Sequence, residues 1–297
     1  MVSTKNINVM WFRQDLRLAD NPALSKSLED GKTLPIFILD NVNSKDHSNG
    51  AASKWWLHQS LIELNKSLKN NLCFFVGNPI EILDEINKKY KITNIFWSRC
   101  YEPWRINRDK KIKKYFSGKD INVNTFNGSL LWEPWNITKK DGTSYKVFTP
   151  YYRKGCLNSD KPRMPLPVPD LSNLISIDNH DSKIEDLDLM PRHYWYNKMT
   201  SLWSPGEEGA LSKIEEFIST GLNNYKEGRN FPSNRNVSQL SPHLHFGEVS
   251  PNQVWYRAKT KEGKLGIKKD LDHFLSELGW REFSFNLLYH FPFLPKE

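Results

Sequence analysis

Cysteine is scarce in this 297-residue chain: Cys73, Cys100 and Cys156 stand far apart and form no CxxC pair. That excludes a disulfide scaffold and the common dithiol and zinc motifs, and leaves reduced thiols in or near a core as the expectation. His243 and His245 are two apart and would diverge on a helix, so no metal site is expected. No apolar run reaches the roughly 18 residues of a membrane span, and no membrane partner is expected. The N-terminus, MVSTKNINVMWF, lacks an apolar stretch followed by small residues; no signal peptide is read there, and a cytoplasmic location is expected. Low-complexity tracts and internal repeats are absent. So are two glycine signatures, a GxGxxG after a strand and a GxxxxGK followed by Ser or Thr. Any nucleotide bound here is held without a glycine cradle for its phosphates.

What is present reads as globular: 38% hydrophobic and 26% charged residues, long enough for two domains. The eleven tryptophans are many; packing is the default account of them, but indoles also stack on planar ligands and bases. The net charge is +8. It is uneven. Residues 101–165 hold 14 Lys or Arg against 6 Asp or Glu, whereas residues 201–297 hold 12 against 12. The basic run KKIKK at 110–114 could meet phosphate, although such a run is more often one solvated helix face.

Along the first third, short apolar runs alternate with amphipathic helical patterns. Strands are expected at 7–12, 33–40, 72–77, 94–98 and 121–126. Helices are expected from Pro22, with Asn21 as N-cap, and at 51–68, 79–90 and 105–116. This alternation predicts βαβ units and a parallel, doubly wound sheet, with ligand groups at the strands' C-terminal ends. From 127 to about 201 the pattern breaks, and prolines gather at 134, 150, 162, 165, 167, 169 and 191, as in a long irregular crossing segment. Beyond Pro205 the patterns are helical, at 207–220, 250–261 with Ser250 as N-cap, and 274–292. An α/β domain therefore precedes an all-helical one.

Two stretches could carry chemistry. The last helix places Glu277 and Arg281 one turn apart with Trp280 beside them, which reads either as a surface ion pair next to a core indole or as part of a site. The stretch VSQLSPHLHFGE offers hydroxyls before Pro242, with Ser241 as a candidate N-cap; it reads either as an anion site or as an ordinary capped turn.

The phrases MWFRQDLRLADNPAL (10–24), WSRCYEPWRINRD (97–109), FNGSLLWEPW (126–135), YKEGRNFPS and VSQLSPHLHFGEVSP (within 225–251) and SELGWREF (276–283) resemble the DNA photolyase and cryptochrome family, in its order and along the whole chain. The resemblance implies an α/β domain over residues 1–133, an interdomain linker over 134–200, and the first part of a helical FAD-binding domain over 201–297. It implies FAD as cofactor, with a second antenna chromophore of folate or deazaflavin type. By the same resemblance Tyr225 contacts the flavin, Val237, Ser238, Gln239, Leu240 and Ser241 match the family's diphosphate-holding TSRLS, Phe274 covers the flavin, and Arg281 stands beside it. Arg229 matches a DNA-contacting arginine, and Arg281 is placed near the DNA as well. Glu277 matches the carboxylate that binds a flipped-out pyrimidine dimer, and Trp280 the aromatic that stacks on it. The implied activity is light-driven repair of cyclobutane dimers in DNA, by a monomer when full length. Cryptochrome-like light sensing without repair, or an inactive remnant, are the alternatives. Glu277 and Trp280 are both of the repair type.

Three departures stand out. Val237 and Gln239 replace Thr and Arg of TSRLS, which removes a hydroxyl and a cation near the flavin. Trp104 and Arg105 replace the Asn-Glu pair of the well-known folate antenna mode. The chain stops at Glu297, where family members continue. From that stop the chain alone is expected to bind FAD weakly or not at all, to show no repair, and to associate through an open helical face presenting Trp280, Phe283, Phe285 and Leu287.

Overall fold

The computed structural model describes residues 6–44, 47–176 and 183–294. The first five residues of the segment read for a leader and the last residues of the chain (295–297) lie outside them. Five parallel strands, β1 (Ile7–Phe12), β2 (Thr33–Leu39), β3 (Cys73–Val76), β4 (Ile92–Ser98) and β5 (Asn122–Phe126), form one sheet in the order β3-β2-β1-β4-β5. The order reverses between β1 and β4, the switch point at which open parallel sheets present ligand sites. Every residue of β1 is buried, as a central parallel strand covered on both faces requires.

Side chains alternate through the sheet. Val9, Trp11, Ile36, Ile95 and Trp97 pack on one side with Leu83 of α3 (Pro79–Lys89) and Ile112 and Phe116 of α4 (Pro103–Ser117). Met10, Phe12, Phe37 and Phe96 pack on the other with Leu24 of α1 (Pro22–Glu29) and Trp55 and Leu61 of α2 (Ala51–Ser67). The expected Asn21 cap forms: its side chain accepts from the Leu24 amide at 3.1 Å. Lys110, Lys111, Lys113 and Lys114 are exposed while Ile112 is buried, so KKIKK is a solvated helix face. All three cysteines are buried and none is in a disulfide.

Beyond β5 the described residues contain no further strand. Short turns lead into α5 (Glu207–Glu216), a wide turn at 217–221, a single turn at Tyr225–Gly228, α6 (Ser241–Phe246), α7 (Pro251–Lys259) and α8 (Lys268–His290). Ser250 and Gln253 form a reciprocal capping box at the start of α7, with both bonds at 2.9 Å. The crossing segment is part of the helical core: Leu131, Trp132, Tyr151 and Tyr152 pack with Phe217, Trp255, Leu271, Leu275 and Phe283.

The two halves lock where the loop after β1 meets the end of α6. The buried Arg17 guanidinium donates to the carbonyls of Gly247, Asp20 and Gly128 at 2.9, 2.7 and 2.7 Å. Glu207 accepts from the amides of Leu18 and Ala19 at 2.8 and 3.0 Å. Gly247 has φ of 71°, and a Cβ there would lie 2.0 Å from the Gln14 carbonyl oxygen, so only glycine fits. Much of the phrase FRQDLRLADN therefore joins the domains.

Three local expectations are corrected. Glu277 and Arg281 do not pair with each other, because each finds a nearer partner outside its own turn. Ser241 is the first residue of α6 rather than its cap; Leu240 occupies the cap position and no side chain closes it. Phe283 is only 6% exposed, packed into the helical core, and Phe285 and Leu287 are half-buried. Among the side chains expected in an open apolar face on α8, Trp280 alone is exposed, at 46%.

Candidate functional site

One cleft of about 710 Å³ gathers most of the residues singled out from the sequence. Tyr225, Arg229, Val237, Ser238, Gln239, Leu240, Ser241, Phe274, Glu277 and Arg281 all line it. Helical spacing explains the α8 wall: Phe274, Glu277, Leu278, Arg281 and Phe285 fall on one face. The opposite side comes from the α/β domain, through Gln14, Arg99, Tyr101, Glu102 and Ser129. No expectation from the sequence places these in a site. Tyr101 and Glu102 lie within the phrase WSRCYEPWRINRD, and their position at the end of β4, beside the switch point, was the available signal.

Trp280 does not line this cleft. It lies on the adjacent face of α8, its ring stacked on Phe148 with centroids 3.7 Å apart and planes 11° apart.

Electrostatics divide the α8 wall. Glu277 Oε1 is paired with Arg229 and lies 3.8 Å from His273 Nε2. The hydrogen bond to Glu277 is the main cause that raises the Arg229 guanidinium above its usual value. Among the described residues no protein group donates to Glu277 Oε2, which leaves an acceptor for an incoming N–H. Arg281 donates to the Ser129 carbonyl at 2.8 Å and to Glu282 Oε1 at 3.1 Å. Burial lowers its proton affinity. Glu282, buried behind it, also accepts from the amides of Leu131 and Trp132 at 2.8 and 3.2 Å. Desolvation nevertheless pushes its carboxyl up to about 7.

The floor is aromatic. Tyr225 meets Phe274 edge-on, with centroids 5.5 Å apart, and burial pushes its phenol up to about 12. Across it, Ser238 is half-buried, and the exposed Ser241 hydroxyl makes no hydrogen bond among the described residues. Gln239 adopts a left-handed φ of 54°, which turns the VSQLS strip along the cleft wall. Hydroxyls and exposed backbone on one wall, a guanidinium on another and rings beneath are the donor set for an extended ligand with a planar ring and an anionic part. The volume lies within the roughly 300–1,000 Å³ of ligand pockets.

A smaller cleft of about 180 Å³ opens at the C-terminal ends of β1 and β2, lined by Trp11, Arg13, Lys54, Trp104, Arg105 and Arg108 among others. Among the described residues no group of His, Cys, Asp and Glu could hold a metal ion. Among them, too, no helix is long and apolar enough to cross a membrane.

The DNA photolyase family model matches residues 8–170, more than half of the chain. The chain belongs to the DNA photolyase family. It is 35% identical over 289 residues to a deoxyribodipyrimidine photo-lyase of Agrobacterium fabrum, covering 96% of this chain and 59% of that protein. It is 32% identical over 306 residues to cryptochrome-2 of Arabidopsis thaliana, covering 96% of this chain and 49% of that protein. The crystal structure of a class III photolyase from Agrobacterium tumefaciens superposes with a TM-score of 0.90 at 34% identity, over 100% of this chain and 62% of that one. A Synechocystis cryptochrome shares the fold, with a TM-score of 0.83 at 20% identity. The chain thus spans about half to three fifths of the length of the relatives it matches. The parallel α/β domain followed by a helical region is the family's architecture.

Proposed function

We propose that the large cleft holds FAD and that the protein serves light-driven repair of cyclobutane pyrimidine dimers in DNA. The observation that carries the proposal is the convergence of Tyr225, Arg229, the VSQLS strip, Phe274, Glu277 and Arg281, spread over 57 residues of sequence, on one cleft of matching size. FAD would supply the electron that light makes available for splitting the dimer. Every other part falls to the chain. Ser238 and Ser241 face the anionic part of the cofactor with hydroxyls, Arg281 sets a fixed positive charge beside it, and Tyr225 and Phe274 close the apolar floor. Arg229 meets the DNA at the rim and holds Glu277 in place. A lesion inside a duplex is out of reach, so the dinucleotide must leave the stack, at least cost where pairing is already damaged. Glu277 Oε2 then accepts from base N–H groups, and its charge is fixed where charge on the dimer changes. Trp280 offers an indole face, for which base stacking contributes about 1–3 kcal/mol.

The smaller cleft has the right chemistry for a second chromophore, indoles among guanidinium groups, but its 180 Å³ is below the roughly 300 Å³ a drug-sized ring system occupies.

The similarity to cryptochrome-2 supports a second reading, light sensing without repair. The presence of both Glu277 and Trp280 favours the first. One experiment separates them: the chain is illuminated with reduced FAD and an oligonucleotide bearing one dimer. Ring opening above a protein-free control supports repair and overturns the inactivity expected from the sequence. Dimer-selective binding without ring opening supports the site alone. The absence of both dimer-selective binding and ring opening would refute the proposal.

A further inference from the structure

Trp280 is the end of a longer stack. Tyr152, 2% exposed, lies parallel to Phe148, with centroids 5.6 Å apart and planes 8° apart. Phe148 in turn lies parallel to Trp280 at 3.7 Å. Phe283 braces Phe148 and Trp280 edge-on, 6.0 Å from each. Two of the three parallel rings come from the crossing segment and the third from α8, more than a hundred residues later in sequence. The helix makes room for this: a Cβ on Gly279 would meet the Tyr152 ring at 2.5 Å, so the glycine preceding Trp280 lets the stack lie against α8.

One face of the indole is therefore covered by Phe148, while the residue stays 46% exposed. A half-exposed side chain held face-on to a ring that is itself stacked on a buried ring has lost its rotamer freedom before any ligand arrives. Loss of that freedom on binding costs roughly 0.5–1.5 kcal/mol per side chain, and preorganisation removes the cost.

We propose that Phe148, backed by Tyr152 across Gly279, is a positioning residue that fixes the Trp280 indole so that an extruded pyrimidine adds to the free face as the next layer of the stack. This rests on the assignment of Trp280 to the lesion given above. It assigns Phe148 no contact with the lesion. Phe148 presets the angle of the indole and closes its back face, so that a base enters from one side only.

The test measures the preference of the full chain for a duplex bearing one thymine cyclobutane dimer over the same undamaged duplex. Wild type is compared with Phe148→Ala, Phe148→Tyr and Trp280→Ala, each checked for folding by circular dichroism. Phe148→Ala is expected to lower the preference about threefold to tenfold. Phe148→Tyr, which keeps the ring, is expected to restore it. Acrylamide quenching of Trp280, taken as wild type minus Trp280→Phe, is expected to rise in a Phe148→Ala background. A preference unchanged or increased in Phe148→Ala, with Trp280→Ala still defective, overturns the positioning role and leaves the lesion assignment standing. A preference unaffected by Trp280→Ala, or absent in wild type, overturns the lesion assignment, and the positioning role falls with it.

Discussion

Glu282→Gln is expected to remove a pH dependence of stability that the wild-type chain carries between about pH 4.5 and 7. The Glu282 carboxyl is buried, 1% exposed, and desolvation raises it from its usual 4.5 to about 7. The unfolded chain releases this proton near the usual value, and the folded chain holds it until near neutrality. In that window the folded state binds more protons, so stability falls as pH rises, by about 3 kcal/mol across the interval at about 1.4 kcal/mol per pH unit. Arg281 and the amides of Leu131 and Trp132 oppose the shift but do not cancel it. Glutamine keeps an acceptor oxygen for those amides and cannot ionise, so the buried geometry is largely retained while the titration is lost. The assay is the urea midpoint of both proteins from pH 4.5 to 8, taken as a difference so that all other groups cancel. Wild type should lose stability relative to the variant as pH rises, and most of the change should lie below pH 7. Parallel pH profiles would refute the argument that burial outweighs the three donors. Because Glu282 joins the crossing segment to α8 beside Arg281, any ligand held by Arg281 should also bind with a pH dependence that the variant lacks.

Three further outcomes are expected. Trp280→Ala should weaken binding to dimer-bearing DNA by about 1–3 kcal/mol and leave undamaged DNA nearly unaffected, measured by anisotropy titration; equal losses on both would mean that the indole is packing alone. Arg229→Gln should weaken binding to both DNAs, to dimer-bearing DNA somewhat more because Glu277 loses its partner, and reduce the slope of log affinity against log salt by about 1; an unchanged slope would remove Arg229 from the DNA interface. Gly247→Ala should destabilise the contact between the two halves by several kcal/mol, because its Cβ meets the Gln14 backbone at 2.0 Å at a positive φ; a denaturation midpoint near that of wild type would show that the loop can yield.

Where periodicity ruled, the sequence was legible. All five strands and the four helices of the first domain lie within two residues or so of their expected positions, because each strand is a short apolar run flanked by Asn, Gly or Pro signals. Pairing across turns was less legible. Glu277 and Arg281 are correctly spaced for an ion pair, but spacing cannot show that Arg229 and the Ser129 carbonyl lie closer. Phe283 was misjudged for a similar reason: the aromatic richness of α8 does not say which rings meet Tyr151 and Phe148 from the crossing segment. The same blindness hid Phe148 itself, which has no motif of its own and acquires meaning only by stacking on Trp280. The roles of the cleft residues, and of Trp280 beside the cleft, were assigned because they sit in phrases that resemble a family. Gln14, Arg99 and Ser129 also lie in such phrases, but their place in the opposite wall comes from the packing of one domain on the other, which no local pattern records.

The central claim is that the cleft between α8 and the VSQLS strip holds FAD. Equilibrium dialysis of FAD against the 297-residue chain and its Ser238→Ala, Ser241→Ala double variant tests it most directly. The account predicts weak but saturable binding at one FAD per chain, reduced about tenfold or more in the double variant through the loss of two hydroxyl partners. No saturable binding, or equal affinity of the two proteins, would contradict it.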